Sequence, residues 1–279
     1  MCKISVSGND KEKSSFPRKE ICFRRTAMKR QTIFILQELS ARELKRKYSR
    51  SKLGIFWSVL NPLLSMAVLS FIFSAMFRKS IENYPVYYLT GFLIWNFFTT
   101  ATNTAMTSLA DNQTLLLQIR LPKSVFPLSR VFTAFLNFLY SLAAYVLILA
   151  FFSIKPSWTM ALFPAVVFFV FLFSLGMSYI LSVLYVFFGD IRHLYGVFLT
   201  LWMYLSALFY PLELLPEIMQ RIIWQNPIYN FIYAARACIL YHTLPPWSVW
   251  VKIVVWSVGL YLAGVSVFQR SQNQIVQRL

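Results

Sequence analysis

Long apolar runs separated by short polar segments form the dominant pattern of this chain. The first run, 53–77, contains no Asp, Glu, Lys, Arg or His and directly follows the basic tract 42–52. A helix of about 20 apolar residues crosses the roughly 30 Å hydrocarbon core of a bilayer. A buried helix of a soluble protein is the alternative, but few are so long and so free of charge. The first run therefore predicts a membrane span.

The same criteria, applied along the whole chain, predict six spans. Their bounds are 53–77, 85–108, 128–153, 160–188, 195–212 and 247–268. The intervening segment 213–246 is also apolar, but charges and prolines interrupt it before it is long enough to cross. This segment predicts two short helices that enter the membrane and return, with Asn226–Pro227 as the turn between them.

The N-terminal region has a different pattern. Leu36, Leu39 and Leu44 recur at near-helical spacing opposite Arg42 and Lys45, which predicts an amphipathic helix lying in the membrane interface. A charged, solvated helix without membrane contact is the alternative. The predicted fold class is an all-α membrane protein with six transmembrane helices, an N-terminal interfacial amphipathic helix and a re-entrant helical hairpin between spans five and six.

Four segments follow from these patterns. Residues 1–29 are rich in Lys, Ser and Arg with few large apolar side chains, which predicts a disordered basic arm. The cytoplasmic interfacial helix occupies 30–52, the transmembrane domain 53–268 and a cytoplasmic tail 269–279. Because the arm precedes the first run, we expect the first span to be retained rather than removed as a leader.

Composition and charge support a membrane location and set the orientation. The chain is 58% hydrophobic and 13% charged, against about 25% charged residues in a usual soluble domain. Its net charge of +17 lies mostly in the N-terminal 52 residues, the loop 109–130 and the tail. Lys and Arg accumulate on the cytoplasmic side, so both termini of this multi-pass protein are predicted to be cytoplasmic, in the cytoplasmic membrane. Nucleic acid is the alternative partner, but no recognition motif is present, and membrane lipid headgroups fit the charge better.

Chemistry-bearing motifs are few. Three cysteines form no CxxC pair and only two histidines are present, so neither a metal site nor a disulfide framework is predicted. The eight glycines form no phosphate-binding loop, so ATP hydrolysis and cofactor chemistry are not expected of this chain. Asp190 and His193 are one helical turn apart, but no nucleophile or second carboxylate joins them. We expect a protein that is not an enzyme.

The second predicted span is unusually polar. Asn96, Thr99 and Asn103 recur every three to four residues and therefore share one face of a helix. This face either lines a conduit or forms hydrogen bonds across a helix contact, and both interpretations remain open. Trp95 and Trp202 are candidates for stacking on a sugar-bearing substrate, with packing in the core as the alternative.

The loop after the second span predicts a short docking helix. Asp111 and Asn112 are good N-terminal caps, Gln113–Ile119 allows two helical turns, and Pro122 ends them. With apolar and basic side chains exposed, such a helix is suited to a groove on a partner; a plain connector is the alternative. The residues expected to contact the partner are Asn112, Leu115, Leu116, Arg120, Pro122 and Lys123.

Several short motifs resemble those of a known family, the permease subunits of polysaccharide ABC exporters. Residues 48–63 are similar to the family motif RYRxSxLGxxWxxxxPL at the start of the first span. Further matches are Leu121–Lys123 with Phe126–Leu128, Asp190–His193, and Tyr210–Pro211 followed by Asn226–Pro227. The resemblance covers about residues 31–268. Gly189 departs from it, because many members have an arginine there.

This resemblance implies a type-2 ABC transmembrane domain over 53–268, a second copy of the chain as partner, and a separate ABC ATPase subunit. It also implies that the 109–123 loop holds the coupling helix and that the substrate is an undecaprenyl-linked glycan of the O-antigen, capsule or teichoic acid type. A basic collar suits the pyrophosphate of such a lipid. Its residues are Arg46, Lys47, Arg50 and Lys52.

Other functions remain as alternatives. A related permease exports a drug, haem or small lipid, and a membrane-embedded lipid-glycan transferase also binds a lipid-linked sugar. A transferase needs acidic catalytic residues on one membrane face, for which Glu213 and Glu217, with Glu82, are the candidates on the outer side. A purely structural scaffold is a third alternative, which the polar second span disfavours.

Overall fold

The computed structural model describes residues 34–45, 54, 56–77, 83–118 and 122–278, and all regular secondary structure within them is helical. The all-α prediction is therefore confirmed for this part of the chain. The α-helices in chain order are α1 (34–45), α2 (Phe56–Phe77), α3 (Tyr84–Met106), α4 (Ser108–Asp111), α5 (Gln113–Gln118), α6 (Val125–Phe151), α7 (Phe163–Phe187), α8 (Ile191–Tyr204), α9 (Glu217–Gln225), α10 (Pro227–Ile239) and α11 (Trp247–Arg278). Two 3-10 helices lie at Trp158–Leu162 and Leu212–Leu214.

Prolines mark the beginnings of three helices. Pro85, Pro164 and Pro227 lie in the first turns of α3, α7 and α10, where the missing N–H would have no helical partner in any case. The Asn226 side chain caps α10 by accepting a hydrogen bond from the Ile228 N–H at 3.0 Å. Two short helices thus meet at Asn226, as predicted for this segment. Their entry into the membrane stays a prediction.

Within the described residues, three helical segments are long and apolar enough to cross a membrane. They are Val125–Phe151, Trp158–Phe187 and Trp247–Ile275. Helix α3 spans 23 residues and is also long enough, but its Asn and Thr side chains lower its hydropathy.

Helix α3 lies at the centre of the bundle and packs against α2, α6, α7 and α10. Its Phe97 ring lies 5.3 Å from that of Phe138 on α6, and its Phe98 ring lies 5.5 Å from that of Phe173 on α7. Aromatic side chains thus fill the space between the central helix and its neighbours, and Phe97, Phe98, Phe138 and Phe173 are all buried.

Helices α7 and α11 form the most extensive pair in the described structure. Their backbones touch at two glycines: a Cβ on Gly176 would lie 2.6 Å from the Leu260 carbonyl, and one on Gly264 would lie 2.3 Å from the Gly176 oxygen. Helix α11 continues past the predicted end of the sixth span at 268 to Arg278 without interruption.

The fifth predicted span, 195–212, is wrong as a continuous helix. Helix α8 begins earlier, at Ile191, and ends at Tyr204; its 14 residues cover about 21 Å, less than the thickness of a hydrocarbon core. Ala207 then adopts a left-handed φ of 44°, a conformation typical of helix ends and unusual for a residue with a side chain. We call the irregular residues 205–210 the break.

The amphipathic character of the N-terminal helix is present in α1. Leu39 and Ser40 are buried, whereas Arg42 and Lys45 are exposed. Ser40 donates a hydrogen bond to the Ser129 carbonyl on α6 at 3.4 Å, so the buried face of α1 rests on the bundle.

Candidate functional site

The polar residues of α3 form its most accessible face. Asn103 is exposed, and Asn96, Thr99 and Thr100 are partly exposed, whereas Phe97, Phe98 and Ala101 on the other sides are buried. The predicted sharing of one helical face is therefore confirmed. We call Asn96, Thr99, Thr100, Asn103 and Thr107 the polar face.

Hydroxyl groups on the polar face donate to their own helix. Thr99 Oγ1 donates to the carbonyls of Trp95 at 3.0 Å and Asn96 at 3.2 Å, and Thr104 Oγ1, beside this face, donates to the Thr100 carbonyl at 2.7 Å. These threonines therefore need no neighbouring helix to satisfy their donors. Their oxygen lone pairs remain available as acceptors, and the amide of Asn103 adds both donors and acceptors.

The two tryptophans predicted beside the conduit lie in the packed core. Trp95 is buried, and its ring contacts that of Phe98 at 6.1 Å. Trp202 lies edge-on to the Phe98 ring at 5.3 Å, and its indole N–H donates to Asn226 Oδ1 at 2.8 Å. These contacts support the packing alternative for both residues.

The break is held by side chains from α3 and α10. Asn226 Nδ2 donates to the Leu205 carbonyl at 2.8 Å, so the residue that caps α10 also fixes the end of α8. Irregular backbone is tolerated at membrane depth only where the protein satisfies its polar groups. Arg236 donates to the carbonyls of Ala207 at 3.1 Å and Leu208 at 2.9 Å. The hydroxyl of Tyr84 donates to the Phe209 carbonyl at 2.9 Å, and that of Tyr87 donates to the Tyr210 carbonyl at 3.1 Å.

Arg236 is the central donor at the break. The residue is 3% exposed, and its Nε donates to the Tyr87 carbonyl at 3.2 Å in addition to the two bonds to the break. The guanidinium carbon also lies 3.5 Å from the centroid of the Tyr87 ring, a cation–π contact. Gly91 makes room for this arrangement, because a Cβ there would lie 2.9 Å from Arg236 Nη2.

Sequence reasoning missed the role of Arg236 and treated it only as a charge that interrupts an apolar segment. The available signal was its position among Ala, Ile and Cys residues, since a charged side chain in such a setting faces the protein interior and finds polar partners there. Its partners were not visible, because carbonyl groups carry no side-chain signature.

A second polar cluster joins α1, α4 and α6. Arg130 Nη1 donates to Glu43 Oε2 at 2.6 Å, and its Nη2 donates to Asp111 Oδ2 at 3.0 Å. The same Asp111 oxygen accepts a hydrogen bond from Thr107 Oγ1 at 2.9 Å. We call Glu43, Thr107, Asp111 and Arg130 the junction.

Residues 112–123, predicted to dock on a partner, are called the docking segment; they contain the short helix α5, but the exposure of its leucines differs from the prediction. Leu115 and Leu116 are half-buried against the core rather than exposed, and Leu117 is 57% exposed instead. Asn112 is buried, and its amide donates to the Ser108 carbonyl at 2.8 Å. The apolar side chains turn inward because α5 packs down onto the bundle.

The end of the docking segment is tied to α11. Pro122 is exposed, whereas Lys123 Nζ donates to the Gln272 carbonyl. Burial lowers the pKa of Lys123. Arg120 and the four collar residues Arg46, Lys47, Arg50 and Lys52 lie outside the described residues.

Within the described residues, a helical bundle with membrane-length apolar helices and an irregular segment whose carbonyls accept protein donors is typical of a polytopic membrane protein. Residues 35–240 match the family model described as ABC-2 type transporter. The chain belongs to the ABC-2 type transporter family.

Relatives of known role cover most of this chain. It is 31% identical over 247 residues to the O-antigen export system permease protein RfbA of Myxococcus xanthus, covering 88% of this chain and 95% of that protein. A protein of the same name from Klebsiella pneumoniae is 29% identical over 88% of this chain and 95% of its own length. The polysialic acid transport protein KpsM of Escherichia coli is 20% identical over 74% of this chain and 81% of its own length.

Proposed function

We propose that this chain is the membrane-spanning permease subunit of an ATP-driven exporter that moves lipid-linked polysaccharide across the cytoplasmic membrane. The observation that carries the proposal is the polar face of α3, which stays accessible although the membrane-length helices α6, α7 and α11 are predominantly apolar. The relatives support the substrate class, because two are permeases of O-antigen export and a third is a polysialic acid transport protein.

The chemistry of the polar face suits a glycan. Sugar hydroxyls are both donors and acceptors, and the face offers amide groups at Asn96 and Asn103 beside the hydroxyl oxygen of Thr99. These three residues are our candidates for the conduit lining. Trp95 and Trp202 support that lining from behind, through their packing against Phe98.

A second copy of the chain would enclose the polar face. Amide and hydroxyl groups turned toward lipid are unfavourable, so they are expected to face protein or water. The neighbouring helix α8 exposes Leu194, Val197 and Leu201 on one side, which gives a second copy an apolar surface to contact. We therefore infer a homodimer with the conduit between two protomers.

Energy would come from a separate ABC ATPase subunit, a partner that membership of this family implies. Helix α5 with its exposed Leu117, followed by Pro122 and Lys123, is our candidate for the docking site. In the full proposal each chain crosses the membrane six times, α9 and α10 form a re-entrant hairpin, and both termini are cytoplasmic. The basic collar would then receive the lipid pyrophosphate on the cytoplasmic side.

The experiment is co-purification of the chain with candidate ATPase subunits, followed by assays of ATP hydrolysis and transport in lipid vesicles. We expect a stable complex whose hydrolysis rises when an undecaprenyl-linked glycan is added. If a small lipid or drug stimulated hydrolysis and the glycan did not, the proposed substrate class would be wrong. If no ATPase remained associated in mild detergent, the proposal of an ATP-driven exporter would be overturned.

The conduit is tested by Asn96→Leu and Asn103→Leu in the same vesicles. We expect both variants to reduce glycan transport several-fold while the complex with the ATPase stays intact. Ser266→Leu is the matched control, because Ser266 is an exposed polar residue on α11, away from the polar face. Equal loss in all three variants would indicate a general effect of leucine on the bundle.

A further inference from the structure

The junction connects three parts of the molecule with different roles. Glu43 lies in the last turn of α1, Arg130 in the second turn of α6, and Asp111 at the end of α4, directly before the docking segment. One guanidinium holds the two carboxylates on two different nitrogens. A planar guanidinium fixes the direction of both bonds, so displacement of one carboxylate is transmitted to the other.

Asp111 is the shared member of this cluster. Its Oδ2 accepts from both Arg130 and Thr107, and Thr107 is the last residue of the polar face. A movement of α5 therefore acts through a single oxygen on the end of the polar face and on Arg130. Asn112, which follows Asp111, is itself anchored to Ser108. The single residue between α5 and Asp111 is therefore held in place, so the two are expected to move together.

Burial separates the junction from ordinary surface ion pairs. The Arg130 and Glu43 side chains are 14% and 13% exposed, and Asp111 is 42% exposed. The exposed pair Glu217–Arg221 on α9 is 3.9 Å long and belongs to one helix, so it connects no separate parts. A short, half-buried pair between separate elements resists both screening and rearrangement better than such a surface pair.

We propose that Asp111 and Arg130 are positioning residues that relay movement of the docking segment to α1, in the series α5, Asp111, Arg130, Glu43. This inference rests on the proposed docking of an ATPase at α5. In a series relay, loss of either ion pair interrupts the whole connection. If the two ion pairs only stabilised the fold, each would contribute separately, and loss of both would reduce transport more than loss of either one.

Two single variants and their double variant distinguish these cases. Asp111→Asn removes the charge at the docking end, Glu43→Gln removes the charge at the α1 end, and both keep the side-chain shape. We expect each single variant to lower glycan transport about tenfold, a usual size for coupling between sites, while ATP hydrolysis stays within about twofold and no longer responds to glycan. The double variant should be no worse than either single one, because the relay is already interrupted.

Two further variants complete the test. Glu38→Gln makes the same charge change at an exposed position of α1 and should transport normally. Arg130→Met should resemble the double variant, and Arg130→Lys, which keeps the charge but not the fork, should recover part of the coupling.

Each outcome is decisive. The relay would be overturned if the single variants transported normally or if their losses multiplied in the double variant. Neither result would contradict the proposed exporter function. Dissociation of the ATPase from Asp111→Asn would make Asp111 a docking contact and also overturn the relay. A wild-type chain that neither retains an ATPase nor transports glycan would overturn the proposed function and the relay together.

Discussion

The junction and the break each depend on one arginine, and the two arginines are satisfied in different ways. Arg130 is partly exposed and donates to two carboxylates, Glu43 and Asp111. Arg236 is almost completely buried and donates to three backbone carbonyls while it lies over the Tyr87 ring. Arg130 joins separate helices through ion pairs, whereas Arg236 stabilises the irregular backbone of the break through hydrogen bonds.

The difference follows from where each cation lies. Asp111 is 42% exposed and keeps part of its hydration, so loss of its ion pair with Arg130 costs less than loss of a fully buried interaction. In the interior, a second buried charge would carry its own desolvation penalty, whereas carbonyl groups of a broken helix need donors in any case. The carbonyls of the break thus satisfy the donors of the buried Arg236, and Arg236 satisfies those carbonyls.

The largest expected effect is that of Arg236→Met, which leaves the buried carbonyls of Ala207 and Leu208 in the break without their side-chain donor. We expect a loss of roughly 3 kcal/mol or more of stability, because each unsatisfied buried group costs about 1–3 kcal/mol. The measurement is the midpoint temperature for loss of the monodisperse protein in detergent. Arg221→Met is the control, because Arg221 is exposed on α9. Equal midpoints for the two variants would contradict the difference between interior and surface.

Gly91→Ala tests whether the space around Arg236 matters as much as its bonds. The added Cβ would lie 2.8 Å from Leu208 Cδ1 and 2.9 Å from Arg236 Nη2, so both side chains must move. We expect a loss of about 1–3 kcal/mol, typical of overpacking. Gly259→Ala, at a helical position where the new Cβ would have no atom within 4 Å apart from its own helix backbone, should be neutral or stabilising in the same melting assay. A harmless Gly91→Ala would mean that the site is loosely packed.

Arg130→Met should destabilise the protein by less than Arg236→Met, about 1–2 kcal/mol, because the junction is partly hydrated. The difference between wild type and variant should shrink in about 1 M salt, where the Debye length is roughly 3 Å. The same change in salt should leave the effect of Arg236→Met unaltered. Melting curves at low and high salt check this, and equal salt dependence at both sites would remove the distinction drawn here.

Tyr84→Phe and Tyr87→Phe should have the smallest effects. Each removes one hydroxyl donor from the break, to Phe209 and Tyr210 respectively, and keeps the aromatic ring. A single hydrogen bond contributes about 1 kcal/mol, so each variant should melt slightly early. Tyr140→Phe, at an exposed position on α6, should melt as wild type. A loss comparable to that of Arg236→Met would show that the tyrosines hold the break.

Much of the helical architecture could be predicted from the sequence, because apolar runs of membrane length have few other outcomes. The polar face was also predictable, since Asn96, Thr99 and Asn103 repeat at the spacing of a helix. The end of α8 was not, because the run Leu205–Leu208 contains no proline or glycine that would signal an end. The break depends on donors from α3 and α10, which lie far away in the sequence.

The remaining misses have a similar cause. Leu115 and Leu116 were expected to face a partner, but the orientation of a two-turn helix depends on the surface beneath it rather than on its own pattern. The junction was invisible for the same reason: Glu43 and Arg130 are 87 residues apart, and nothing in either local sequence specifies the other. Local patterns predict helices well, and contacts between distant polar residues poorly.

The glycine contact between α7 and α11 limits which parts of the bundle are able to move. With backbones this close at Gly176 and Gly264, sliding one helix along the other would drive each glycine against bulkier neighbours such as Leu260 and Tyr261. The two helices therefore behave as one rigid wall. In the proposed exporter, a glycan passing beside α3 would therefore gain its space from displacement of the other helices relative to this pair.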